Sequence, residues 1–135
     1  MRIFLDANIL FSGARRGSRL RALLDLLIAH CECVTNAYAV EEARRNLELK
    51  DPARVREFQA LVKRCVLVTA LVTELPVAVE PKDIPILGGA IAGKATHLLT
   101  GDARHFGAHF GKTIQGVRIV SPKLMADALV ERGLL

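Results

Sequence analysis

Four acids in this chain occupy positions that chemistry could exploit. Asp6 closes the apolar run Ile3-Phe4-Leu5, and Asp102 closes His97-Leu98-Leu99-Thr100-Gly101. Asp83 opens a helix-like segment after Pro81-Lys82, and Glu42 lies in an earlier one, Val40 to Leu47. Ligands of a parallel α/β sheet bind outside the carboxyl ends of its strands, so acids far apart in sequence can converge there. Clustered carboxylates with no evident Lys partner repel one another and suit a hard divalent cation. The chemistry of such a set is metal-dependent reaction at phosphate.

Each acid has a plainer explanation to set beside this one. A turn after a strand needs no acid, yet Asp6-Ala7-Asn8 pairs a carboxylate with an amide in close reach, as a metal and its water would require. Gly-Asp is common in turns, so Gly101-Asp102 alone is a moderate signal. Helix capping by itself would explain Asp83. Glu42 competes with its neighbour Glu41. On a helical wheel Val40, Ala43 and Leu47 mark the core stripe, and Glu41 shares its side with Arg44, Arg45 and Glu48. Glu41 can pair with Arg45 at i+4, which makes it the surface residue and leaves Glu42 as the candidate.

Other features have simpler explanations. Gly88, Gly89 and Gly93 sit within a helical segment, with no G-x-G-x-x-G or Walker pattern around them, so close helix–sheet packing accounts for them. His105, three residues past Asp102, is within reach of a substrate but reads by default as a structural histidine. Ser12 and Ser18 have no His-Asp companions. Cys31, Cys33 and Cys65 are an odd set that argues against a disulfide framework, and they read as thiols packed like small apolar groups.

The elements that must hold the acids alternate. Arg2–Leu5 reads as a strand, and Ser18–Ala29 as a helix with an apolar stripe of Leu20, Leu23, Leu24, Leu27 and Ile28. Cys31–Val34 is a strand, followed by a helix from a Thr35 or Asn36 cap to about Leu49, and Asp51-Pro52 starts another with Asp as cap. Strands at 66–68, 97–100 and 118–120 follow, with helices from Pro81-Lys82-Asp83 to Ala92 and after Ser121-Pro122. This order predicts an α/β fold of βαβ units around a mostly parallel sheet of about five strands.

The chain has 135 residues, 51% of them hydrophobic, which fits a single domain (1–135) with a full core. No linker, repeat or membrane-spanning stretch is visible, and no signal peptide is evident, so a cytoplasmic protein is expected. The net charge of +5 is carried by clusters such as Arg15, Arg16, Arg19 and Arg21. Cations around an acidic pocket would hold a polyanion while the acids hold the metal. With one Tyr, five Phe and no Trp, contact would lean on phosphate more than on stacked bases.

Four segments together carry a resemblance: Phe4-Leu5-Asp6-Ala7-Asn8, Val40 to Leu47, Asp83-Ile84-Pro85-Ile86-Leu87, and Thr100-Gly101-Asp102-Ala103-Arg104-His105-Phe106. In order and spacing the chain resembles the PIN-domain family, of the VapC-type toxin kind. The resemblance places the family's acidic quartet on Asp6, Glu42, Asp83 and Asp102, with Asn8 and Thr100 as supporting residues. It implies a three-layer α/β/α sandwich and a Mg²⁺- or Mn²⁺-dependent endoribonuclease. It also implies the toxin of a toxin–antitoxin pair, with a cognate antitoxin and a homodimeric state. Asp6, Asp83 and Asp102 are then the metal ligands, direct or through water, and Glu42 a ligand or the base for the attacking water. His105 departs from the pattern, since some members carry a further acid nearby. Two rivals are a catalytically silent RNA-binding module with the same fold and a receiver-type phosphoacceptor domain. The second would need an early adjacent acidic pair and a late strand-end Lys, and neither is present.

Overall fold

The computed structural model describes residues 1–135. Six strands form one sheet: β1 (Arg2–Leu5), β2 (Glu32–Thr35), β3 (Val66–Leu67), β4 (His97–Leu99), β5 (Thr113–Ile114) and β6 (Val117–Val120). Their order is β3-β2-β1-β4-β6-β5. All neighbours run parallel except β5, which pairs antiparallel with β6. The chain moves outward from β1 through β2 to β3, then returns to lay β4 on the other side of β1. That reversal puts a topological switch point between the carboxyl ends of β1 and β4, where Asp6 and Asp102 emerge.

Seven helices pack around the sheet: α1 (Ala7–Gly13), α2 (Arg19–His30), α3 (Ala37–Lys50), α4 (Val55–Lys63), α5 (Ile84–Ala92), α6 (Ala103–Phe106) and α7 (Pro122–Glu131). The architecture is the PIN-like three-layer sandwich. A core of 31 buried apolar residues joins the layers, with Ile3, Phe4 and Leu5 of β1 and Leu98 and Leu99 of β4 fully buried. Strands covered on both faces read as unbroken apolar runs, which is why β1 and β4 were legible. No helix is long and apolar enough to cross a membrane.

Local chemistry sets the helix starts. Asn36 caps α3 through its side-chain oxygen on Ala39 N–H, and Ser121 caps α7 on Leu124 N–H. At Asp51 the expectation fails: its side chain caps nothing and pairs with Arg54 at 2.6 Å, while a 3₁₀ turn, Pro52–Arg54, leads into α4. The sheet has six strands instead of about five, because a hairpin turning at Gln115-Gly116, both in the left-handed region, adds the short β5. The helix α1 begins directly at Ala7, so the residues after Asp6 are helix and not turn. In α5, a Cβ at Gly88 would lie 1.9 Å from the Val72 carbonyl oxygen, so that helix packs against the 71–72 backbone. At Gly89 a Cβ would meet Asn36 and Phe4, the helix–sheet approach that the glycines foretell. Cys33 is buried among apolar groups, which pushes its thiol up to about 12, and all three cysteines are free.

Candidate active site

Asp6, Asn8, Glu42, Asp83 and Asp102 line one cleft of about 230 Å³, together with Phe11, Asn46, Lys50 and Lys82. The four acids arrive from four directions: the end of β1, the middle of α3, the start of α5 and the end of β4. Thr100 is fully buried beneath them.

A continuous hydrogen-bond chain fixes the floor of the cleft. One Asp6 oxygen accepts from Ala7 N–H at 2.6 Å at the start of α1. The other accepts from Asn8 Nδ2 at 3.0 Å and from the Thr100 hydroxyl at 2.8 Å. Asn8 Oδ1 in turn accepts from Gly101 N–H at 2.7 Å, so its amide ties the end of β1 to the end of β4. A Cβ at Gly101 would sit 3.2 Å from that oxygen, which explains the glycine. Thr100 Oγ also accepts from Asp102 N–H at 3.1 Å. Asn8 and Thr100 therefore hold Asp6 and Asp102 in a set relation.

The Asp102 side chain caps α6, accepting from His105 N–H at 3.0 Å. This turn brings the imidazole against two of the cleft's acids, with Nδ1 at 2.7 Å from Asp83 Oδ2 and 3.5 Å from Asp102 Oδ2. The Asp83 carboxylate makes no helix-capping bond; it engages His105. Capping, which would have accounted for Asp83, is thus not what its side chain does. His105 is the residue that the sequence pattern undervalues. The signal was its i+3 offset from Asp102, which a helix N-cap turns into direct contact. Glu42 lines the cleft, whereas Glu41 lies outside it and pairs with Arg44 and Arg45.

Charge is poorly balanced here. No Lys or Arg nitrogen lies within 4.0 Å of Asp6, Glu42, Asp83 or Asp102, although Lys50 and Lys82 line the same cleft. Burial pushes the Asp6 carboxyl up to about 6 despite its hydrogen bonds to Thr100 and Ala7, and the charges of Glu42 and Asp83 add to the rise. Burial also raises Asp83, against the opposing pull of His105. Asp83, Asp102 and His105 each present one donor atom within 4.8 Å of the others. This donor set, mostly carboxylate oxygen and short of cations, fits a divalent metal ion.

No protein-family model matches the chain, and no curated protein matches it by sequence. Its fold matches a chain in the crystal structure of VapBC2 from Rickettsia felis bound to a DNA fragment from their promoter. The match has a TM-score of 0.65 at 18% identity and covers 90% of this chain and 98% of that one. At the level of fold, this agrees with the PIN-domain resemblance carried by the four sequence segments.

Proposed function

We propose that the chain is a divalent-metal-dependent endoribonuclease, a single domain spanning residues 1–135. The observation that carries this reading is the convergence of four carboxylates in one cleft, with no Lys or Arg paired to them and His105 beside only Asp83 and Asp102. Burying Asp6 and Asp83 beside like charges costs stability, and a site that binds a cation recovers that cost.

Asp6, Asp83 and Asp102 would hold the ion, with Asn8 and Thr100 fixing the orientation of their oxygens. Mg²⁺ or Mn²⁺, when bound, supplies water activation and neutralises charge on phosphoryl oxygens. Glu42, on the α3 wall, accepts a proton from the attacking water or serves as a further ligand. Lys50 and Lys82 draw the phosphates of the strand into the cleft. Phe11, under the Lys50 ammonium at 5.8 Å, offers the one aromatic face in the cleft. On this reading the chain is the toxin of a toxin–antitoxin pair, works in the cytoplasm as a homodimer and is held inactive by a cognate antitoxin; the fold it shares with a chain of the VapBC2 complex is consistent with such a partner.

The test is cleavage of a mixed RNA pool with Mn²⁺ or with EDTA, by the native protein and by Asp6→Asn. Cleavage that requires both the metal and Asp6 is expected. RNA binding without cleavage, in folded and metal-loaded protein, would favour the silent binding module instead.

A further inference from the structure

The His105 imidazole is too well placed between two carboxylates to be packing alone. Its side chain is only 10% exposed, and its backbone is pinned by the cap from Asp102. Nδ1 lies 2.7 Å from Asp83 Oδ2 and 3.5 Å from Asp102 Oδ2. Adjacent ligands about 2.1 Å from one ion, at right angles, lie roughly 3 Å apart, so these spacings bracket the edge of a coordination polyhedron. Nε2 faces Glu80 at 3.9 Å, on the side away from the two aspartates.

From this geometry, and resting on the metal centre proposed above, we infer that His105 is a nitrogen ligand of that centre, biasing it toward Mn²⁺ over Mg²⁺. Coordination through Nδ1 needs its lone pair free, which places the ring hydrogen on Nε2 in the metal-bound form. Glu80, 3.9 Å from Nε2, is beyond hydrogen-bond distance but lies on the side where a carboxylate could orient a metal-bound histidine after a small side-chain shift. Asp83 loses a hydrogen-bond donor and gains the cation. An imidazole donor favours transition metals over Mg²⁺, which prefers an all-oxygen shell. An acid at position 105 would complete such a shell.

The test uses one equivalent of Mn²⁺ and electron spin-echo modulation, which reads directly bound nitrogen whether or not RNA is cut. Native protein is expected to show ¹⁴N modulation, and His105→Asn to lose it while losing Mn²⁺ affinity by roughly tenfold. His105→Asp is expected to keep Mn²⁺ binding, lose the modulation, and reduce the Mn²⁺-to-Mg²⁺ preference by roughly tenfold. Native protein that binds Mn²⁺ without nitrogen modulation overturns the assignment, as does modulation that persists in His105→Asn. Nitrogen coupling without RNA cleavage would keep His105 as a ligand and count against the nuclease reading. Failure of native protein to bind Mn²⁺ at all would overturn both.

Discussion

At the scale of single residues, Asp6 carries a stability cost from burial that the proposed metal site would offset. Its carboxyl is raised from 3.8 to about 6, so the native state binds more protons than the unfolded chain between those values. The stability that the protonated acid confers is therefore full below pH 3.8 and is lost as pH rises through 6. Asp6→Asn removes this dependence. Its stability relative to native, measured by urea denaturation without metal, should rise by about 2 kcal/mol between pH 4.5 and pH 8. An unchanged difference across that range would mean that Asp6 is not held in a desolvated, like-charged setting. Added Mn²⁺ should stabilise the native protein and leave Asp6→Asn unmoved.

At the scale of elements, Asn36 couples two of the acid-bearing helices. Its side-chain oxygen caps α3, which carries Glu42, and its amide donates to the Pro85 carbonyl at 2.9 Å in the first turn of α5, which follows Asp83. Asn36→Ala loses the cap and strands a backbone acceptor, and thermal or urea melts should show a loss of about 2–3 kcal/mol. Asn36→Asp keeps the cap oxygen and loses the donor, so its melt should fall between the two. Gly88→Ala drives a Cβ into the Val72 carbonyl and should cost about 1–3 kcal/mol by the same measurement. The sequence showed the elements well where one physical signal dominated. The buried strands β1 and β4 read as apolar runs, the stripe of α2 and the Ser121 start of α7 were equally plain, and the α3 cap was narrowed to Thr35 or Asn36, of which Asn36 makes the bond. What stayed hidden depended on contacts between elements. The residues of α1 look like a turn after a strand, and β5 exists only by pairing with β6; Asp51 is the local exception, preferring Arg54 three residues on to the backbone. The quartet and the choice of Glu42 over Glu41 followed from position alone. The place of His105 did not, because its partner Asp83 lies 22 residues away in sequence and meets it only in the folded chain.

For the whole molecule, a chain of net charge +5 carries an acidic cleft, and the proposed function requires that cleft to admit a polyanion. On the proposed reading, the cations that would matter most for an RNA strand are Lys50 and Lys82, because they line the cleft itself. In the Asp6→Asn background, where RNA would be bound and not cut, the affinity for single-stranded RNA should fall with rising salt. Replacing both lysines by Ala should flatten the log–log slope by about 1.4, at roughly 0.7 per phosphate contact on a single strand. An unchanged slope in anisotropy titrations would place the strand elsewhere on the surface. The parallel sheet makes this arrangement possible, since its switch point delivers acids from β1 and β4 to one edge while α3 and α5 wall it in. The central claim is that this cleft, and not acidity in general, cuts RNA. Adjacent acids on one helix test it most directly, because Glu41→Gln and Glu42→Gln make the same change of charge one residue apart. In single-turnover cleavage with Mn²⁺, Glu41→Gln should match the native rate within about twofold and Glu42→Gln should lose at least about 100-fold. Equal rates in the two variants would contradict the account.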